Sequence, residues 1–304
     1  MISTDLFGQE VVDGTLKERF GIMPFSVLDT KTSEWRQRKQ KWINLGIQSE
    51  LGRADDLMGF KRVYSKGKPR LFDRSASVFD PVLCEVIYDW FCIKDGSVLD
   101  SFAGGSVRGI VASSKGLEYT GIEIREEQVE SNLEQANRIC KNKTPEWIIG
   151  DSHSELPKIN KKFDLAFTCP PYFDLEKYSD KDGDLSNMEW DRFVDRYKHI
   201  LSSTCSLLKE NRFFCIVVGD VRDKERPINW YRNLTGITKS TIIDSGLHLY
   251  NEMILLDGIG SSAMRITQAF SKRKVVKTHQ NIYVFYKGKD VNDIRDEFVE
   301  NGLC

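Results

Sequence analysis

From residue 80 onward, short runs of β-branched and aromatic residues alternate with longer stretches of helical periodicity, and few folds accommodate that alternation. The runs at 97–100, 119–124, 146–149, 163–168 and 213–218 read as strands. Segments 81–91, 106–115, 126–141 and 188–208 read as helices, the first opening with Pro81, a residue suited to a first helical turn. Strands separated by helices of this length call for a parallel sheet covered by helices on both faces. Two further strands, at 249–256 and 282–286, follow near the end.

A chain of 304 residues accommodates one large α/β domain with appended segments. The expected division is a basic N-terminal extension at 1–75, a catalytic domain at 76–290 and a tail at 291–304. Residues 20–25 read as an extended, docked arm. Residues 33–48 read as a basic amphipathic helix with Trp35, Trp42 and Ile43 on its apolar side. Residues 54–75 carry Gly59, Gly67 and Pro69 and read as a loop or short strands. Seven cysteines form no C-x-x-C pair and several lie in apolar runs, so reduced thiols, no structural zinc and a cytoplasmic location are expected. Neither a signal peptide nor a membrane span is expected.

The net charge of −1 is unevenly spread. Residues 31–70 hold eleven Lys and Arg against four Asp and Glu. Residues 261–280 hold five cations, Arg265, Lys272, Arg273, Lys274 and Lys277, and no acid. Such segments either present a positive face to a phosphate backbone or form solvated surfaces; the charge count alone leaves both open.

The first strand runs into Asp100-Ser101-Phe102-Ala103-Gly104-Gly105. A glycine turn at a strand end lets a ligand approach the backbone where a Cβ would clash. The dinucleotide pattern G-x-G-x-x-G is absent, which weighs against a nicotinamide cofactor. The next two strands end in Glu123 and Asp151. An acid after the second strand can accept from ribose hydroxyls, and one after the third can meet an adenine amino group. Each is equally a helix cap when taken singly; three acids at three successive strand ends point to a nucleoside site. The fourth strand ends in Thr168-Cys169-Pro170-Pro171-Tyr172.

Together these segments resemble the cofactor and catalytic motifs of amino-directed DNA methyltransferases, which methylate N6 of adenine or N4 of cytosine. Asp100 to Gly105 is similar to that family's D-P-F-x-G-x-G, with Ser101 for Pro and the second Gly displaced. Phe79-Asp80-Pro81 is similar to the segment covering the methionine moiety, which implies cofactor roles for Phe79 and Pro81 beside Asp100, Phe102, Gly104, Gly105, Glu123 and Asp151. The catalytic tetrapeptide usually begins with Asp, Asn or Ser; here it begins with Cys169. The resemblance implies that Cys169 and the backbone carbonyl after it accept from the target amine, that Pro170 and Pro171 stiffen the turn, and that Tyr172 stacks on a flipped base. Thr-Cys-Pro-Pro-Tyr differs by one atom from a Thr-Ser-Pro-Pro-Tyr form found among cytosine-N4 enzymes, which tilts the expectation toward cytosine. A carbon-5 mechanism would need the cysteine after the prolines.

The family's fold is a Rossmann-like, mostly parallel seven-stranded sheet with a terminal antiparallel hairpin. The order of motifs implies target-recognition elements within about 220–280, and the chain's ending and N-terminal 24–30 are similar to phage and bacterial enzymes, some of which serve restriction and modification. The resemblance therefore implies S-adenosylmethionine as cofactor, double-stranded DNA as partner and no metal. Alternatives on the same fold are an RNA or protein methyltransferase, transfer of a group other than methyl, or a DNA-binding protein with a decayed site.

Overall fold

The computed structural model describes residues 20–47, 79–141, 143–173, 181, 183–223, 230–257 and 260–298. The expectations for residues 54–75 lie outside them. In chain order the principal elements are β1 (Val27–Asp29), α1 (Ser33–Asn44), α2 (Pro81–Phe91), β2 (Ser97–Asp100), α3 (Val107–Ser114), β3 (Glu118–Glu123), α4 (Glu126–Ile139) and β4 (Glu146–Ile149). There follow the short α5 (Ser152–Glu155), β5 (Phe163–Thr168), α6 (Trp190–Leu207), β6 (Leu208–Val218), β7 (Val221–Arg222), β8 (Tyr231–Arg232), α7 (Leu234–Asp244), β9 (His248–Leu256), α8 (Ile266–Ser271), β10 (His279–Lys287) and α9 (Arg295–Phe298).

Eight strands form one sheet in the order β1-β9-β10-β6-β5-β2-β3-β4. The inner pairs β2/β3, β2/β5, β3/β4 and β5/β6 are parallel, whereas β10 is antiparallel to both β6 and β9. The expected Rossmann-like sheet and terminal antiparallel hairpin are therefore present, with eight strands in place of seven. The extra strand is β1, which runs parallel to β9 with Val27 opposite Ile254. Three residues without a periodic pattern give no strand signal; pairing along a sheet edge supplies it. The pair β7/β8 forms a separate antiparallel ribbon.

Side chains alternate across the sheet with a period of two. Val98, Leu165, Phe167, Phe213, Cys215 and Val217 face one core, shared with Trp35, Trp42, Leu83 and Val111. Leu99, Ala166, Phe214, Ile216 and Val218 face the other, shared with Phe193, Tyr197, Leu201 and Ile242. Helices thus cover both faces, as buried parallel strands require.

Helix α1 docks through Trp35 and Trp42, seven residues apart and both buried, while Ile43 is 48% exposed. The expected apolar side of α1 is corrected accordingly: one step from Trp42 turns a side chain about 100° round the axis. Polar contacts, one of them buried, complete the docking. Arg38 Nε and Trp42 Nε1 donate to Glu85 of α2 at 3.0 and 3.3 Å, and Trp35 Nε1 and Lys39 Nζ donate to Asp80 Oδ2 at 3.2 and 2.9 Å. Asp80 is also the N-cap of α2, accepting from Val82 N at 2.9 Å, and Pro81 occupies the first turn.

Candidate functional site

The parallel strands all end on one side of the sheet, and a cavity of about 980 Å³ opens there. Binding crevices of open α/β sheets lie at this position. Three walls define it: the glycine turn after β2 with the strand ends of β3 and β4, the Cys169–Tyr172 turn after β5, and the segment leading from α8 into β10.

The glycine turn is braced from two sides. Gly104 adopts φ +55°, and a Cβ there would meet nothing within 4 Å, so the backbone is open to the cavity. Gly104 N donates to Glu123 Oε2 at 3.0 Å, and its carbonyl accepts from Asn132 Nδ2 at 2.8 Å. Gln128 and Arg125 join Asn132 back to Glu123 Oε1, where the Arg125 backbone N–H and Nε both donate at 3.0 Å. From below, Arg108 Nη2 donates to the carbonyls of Phe102 and Ala103 at 2.6 and 2.8 Å. Burial works against the charge of Arg108, but Asp100 beside it holds its pKa above the ordinary arginine value.

Phe79, Phe102, Gly104, Gly105, Glu123 and Asp151 all line the cavity. Asp100 and Pro81 do not. Asp100 is fully buried, and its carboxylate accepts from Arg108 Nε at 2.5 Å, Tyr119 Oη at 2.7 Å and Thr168 Oγ1 at 2.7 Å. It ties β2, β3, β5 and α3 together under the turn. Pro81 is buried in the first turn of α2, and its neighbour Asp80 is the residue on the cavity wall.

Burial raises the pKa of Glu123, with Arg125 and the Gly104 amide opposing. Asp151 caps α5 by accepting from His153 N at 3.0 Å and forms an ion pair with Arg196, so the capping and cavity-lining readings hold at once. The residues fit a nucleoside cofactor with a sulfonium. An open glycine backbone, a buried carboxylate able to accept from hydroxyls, and the apolar Phe79, Leu83 and Phe102 lie on one wall, where the acids Asp80, Glu123 and Asp151 stand beside the cations Lys39, Arg108 and Arg125.

Cys169, Pro170, Pro171 and Tyr172 line the adjoining wall. Thr168 sets the height of this turn against the glycine turn: its Oγ1 donates to Asp100 and accepts from Phe102 N at 3.1 Å. Tyr172 Oη donates to Gln280 Oε1 at 2.8 Å and lies 3.6 Å from Cys169 Sγ. Gln280 Nε2 in turn donates to Asp257 Oδ1 at 3.3 Å. Neither Gln280 nor Asp257 is legible in the sequence as a site residue, because each reaches Tyr172 only through the pairing of β10 with β9, which sets His279 opposite Leu256. Asp174, Glu176, Tyr178 and Ser179, which follow this turn in the sequence, lie outside the described residues.

The five cations of the basic segment separate. Arg265, Lys274 and Lys277 line the cavity; Lys272 and Arg273 lie outside it, with the Arg273 guanidinium 5.1 Å from the Phe270 ring centroid. Lys277 is half-buried, and a Cβ on Gly219 would approach its Nζ to 3.1 Å and Tyr172 Cε2 to 3.6 Å. Burial lowers its pKa while Asp220 and Asp257 raise it, with a net downward shift. Met264, Phe270 and Val275 are exposed among these cations. Among the described residues, no group of three or more His, Cys, Asp or Glu is placed to hold a metal ion, and no helix is long and apolar enough to cross a membrane.

Residues 163–301 match a family model described as DNA methylase, N6 and N4 type. The matched segment takes in the Cys169–Tyr172 turn and β10, while the glycine turn, Glu123 and Asp151 precede it. No curated protein matches the chain. Among solved structures, TrmN from Thermus thermophilus aligns at 14% identity and TM-score 0.45, over 68% of this chain and 49% of its own. The chain thus spans about half the length of that protein. A putative RNA methyltransferase from Pyrococcus horikoshii aligns at 15% identity and TM-score 0.48, over 83% of this chain and 100% of its own. A putative DNA modification methylase from Thermus thermophilus aligns at 18% identity and TM-score 0.34, over 46% of this chain and 51% of its own.

Proposed function

From the premise that residues 163–301 match the DNA methylase family, we infer that the chain is an S-adenosylmethionine-dependent amino-directed DNA methyltransferase. Its substrate is the exocyclic amine of a base flipped out of double-stranded DNA, cytosine N4 ahead of adenine N6. The observation that carries the reading is one cavity bordered by both the glycine turn and the Cys169–Tyr172 turn. A donor held on one wall and an amine held on the other share one enclosure, as direct group transfer requires.

When bound, S-adenosylmethionine supplies an electrophilic methyl group on sulfur. Glu123 is assigned the ribose hydroxyls, Asp151 the adenine end, and Phe79 and Asp80 the methionine end. The amine of a nucleobase is a poor nucleophile because its lone pair is delocalised into the ring. Cys169 and the backbone carbonyl that follows it are assigned to its N–H bonds, where they stabilise positive charge as it develops. Proline fixes φ and removes a donor, so Pro170 and Pro171 keep this turn rigid. Tyr172 provides a π face for the base, worth roughly 1–3 kcal/mol. Arg265, Lys274 and Lys277 are assigned to the DNA strand at the cavity mouth, and the chain's setting is the cytoplasm of a bacterial or phage-infected cell.

Mass spectrometry of nucleosides from duplex DNA incubated with the protein and S-adenosylmethionine tests the reading. N4-methylcytosine is the expected product. N6-methyladenine keeps the amino chemistry and overturns the choice of base. Unmodified DNA beside modified RNA or protein overturns the substrate class.

A further inference from the structure

A thiol is a poor hydrogen-bond acceptor, and its single proton rotates freely about the Cβ–S bond. If that proton faces the target amine, Cys169 opposes the amine N–H bonds instead of accepting from them. The surroundings of Cys169 decide the matter. Tyr172 Oη has one proton, and it is donated to Gln280 Oε1 at 2.8 Å. In the 3.6 Å contact between Tyr172 Oη and Cys169 Sγ, the phenol oxygen is then left to accept and the thiol to donate. The orientation of the Gln280 amide is set in turn by Asp257, whose carboxylate accepts only and draws Gln280 Nε2 toward it at 3.3 Å.

We propose that Asp257, Gln280 and Tyr172 form a directional hydrogen-bond relay that turns the Cys169 proton away from the target amine and leaves the sulfur lone pairs facing it. Gln280 is a positioning residue acting through Tyr172. The inference rests on the amino-methyltransferase reading of the cavity and explains how a cysteine serves where that family more often carries Asp, Asn or Ser. A carboxylate has no proton to aim, and an amide or hydroxyl accepts more strongly than a thiol, so the weakest acceptor gains most from such a relay. It also gives the β9–β10 pair, distant in sequence from the catalytic turn, a part in the chemistry.

The S–H stretching band in the infrared spectrum reads the thiol directly and needs no turnover, so it separates this inference from the reading beneath it. The Cys169 band is identified by its loss in Cys169→Ser. In the unaltered protein it is expected at the low wavenumber of a donating thiol. In Gln280→Leu, Tyr172 is released to donate to sulfur, and the band is expected to move up. Asp257→Asn, which permits the Gln280 amide to flip, is expected to move it the same way with little change in packing. A band that stays in place in both variants overturns the relay, whether or not the protein methylates DNA. On turnover, Gln280→Leu is expected to lower kcat about tenfold with KM for DNA within about twofold. In a Cys169→Asp background the same substitution is expected to cost less than about twofold. A loss confined to KM, or a loss of kcat that is undiminished in the Cys169→Asp background, overturns the relay.

Discussion

Glu123 does two jobs with one carboxylate. It accepts from the Gly104 amide and from Arg125, and it lines the cavity where a cofactor's ribose is assigned. Its pKa is raised, chiefly by burial, so the fold favours its protonated form relative to the unfolded chain. A raised acid costs the fold stability once ionised, and that cost appears as pH rises from the ordinary glutamate value through the folded one. Acceptance from two hydroxyls needs the ionised form. S-adenosylmethionine affinity is therefore expected to fall at a higher pH than an ordinary glutamate would produce. Calorimetry across pH checks this, with the dependence absent in Glu123→Gln. At neutral pH that substitution is expected to weaken binding by about 1–3 kcal/mol. Unchanged affinity would remove Glu123 from the site. At this scale the sequence was legible where the signal is local. Gly104, Glu123, Asp151 and Pro170 follow from strand ends and turns. Asp100 carries the same strand-end signal, yet Arg108, eight residues on, folds back and buries it. Gln280 carries no local signal, because its partner Tyr172 lies 108 residues away.

Among the elements, β2, β5 and β6 are clamped at the end opposite the cavity by Asp164. It accepts from Ser97 N at 3.0 Å, Lys209 Nζ at 2.9 Å and Arg212 Nε at 3.2 Å. Burial raises its pKa, but these donors outweigh that and hold it below the ordinary aspartate value. A depressed carboxyl contributes stability that is complete above the unfolded pKa and is lost as pH falls through the folded one. Asp164→Ala is expected to cost about 3 kcal/mol at neutral pH, since it leaves buried Arg212 with fewer partners. Urea unfolding is expected to show that gap closing in acid, and a gap constant down to strongly acidic pH would refute the clamp. The elements were the most legible level. Binary patterning over 81–168 placed each strand, and each helix except the short α5, to within a residue or two, because both faces of the sheet are buried and each period is enforced along its length. The edge strand β1 was not legible: three residues hold too little pattern, and only β9 makes them a strand.

At the scale of the molecule, Arg38 and Lys39 of α1 and the cations before β10 have different fates. In α1, Arg38 and Lys39 are spent on Glu85 and Asp80 of α2. In the segment before β10, no acid interrupts the cations. DNA affinity is therefore expected to depend on the second segment. Neutralising Arg265 and Lys274 together is expected to lower the salt slope of binding by about 0.9 for each phosphate they neutralise. Arg38→Met is expected to lower the melting temperature and leave that slope unchanged. Fluorescence anisotropy over a salt series reads both, and reversed effects would exchange the two roles. The pairing of β1 with β9 has a further consequence in time. Val27 leaves the ribosome before its partner Ile254, which follows more than 200 residues later. At bacterial translation rates the wait is roughly 10–50 s. The helix beside β1 finds Glu85 early, but the strand itself stays a loose thread until the last hairpin emerges. The enclosure built from Thr30, Lys39, Lys277 and Gln280 is thus sewn shut only by β10, so a nascent chain is closed to cofactor chemistry until that strand has been made.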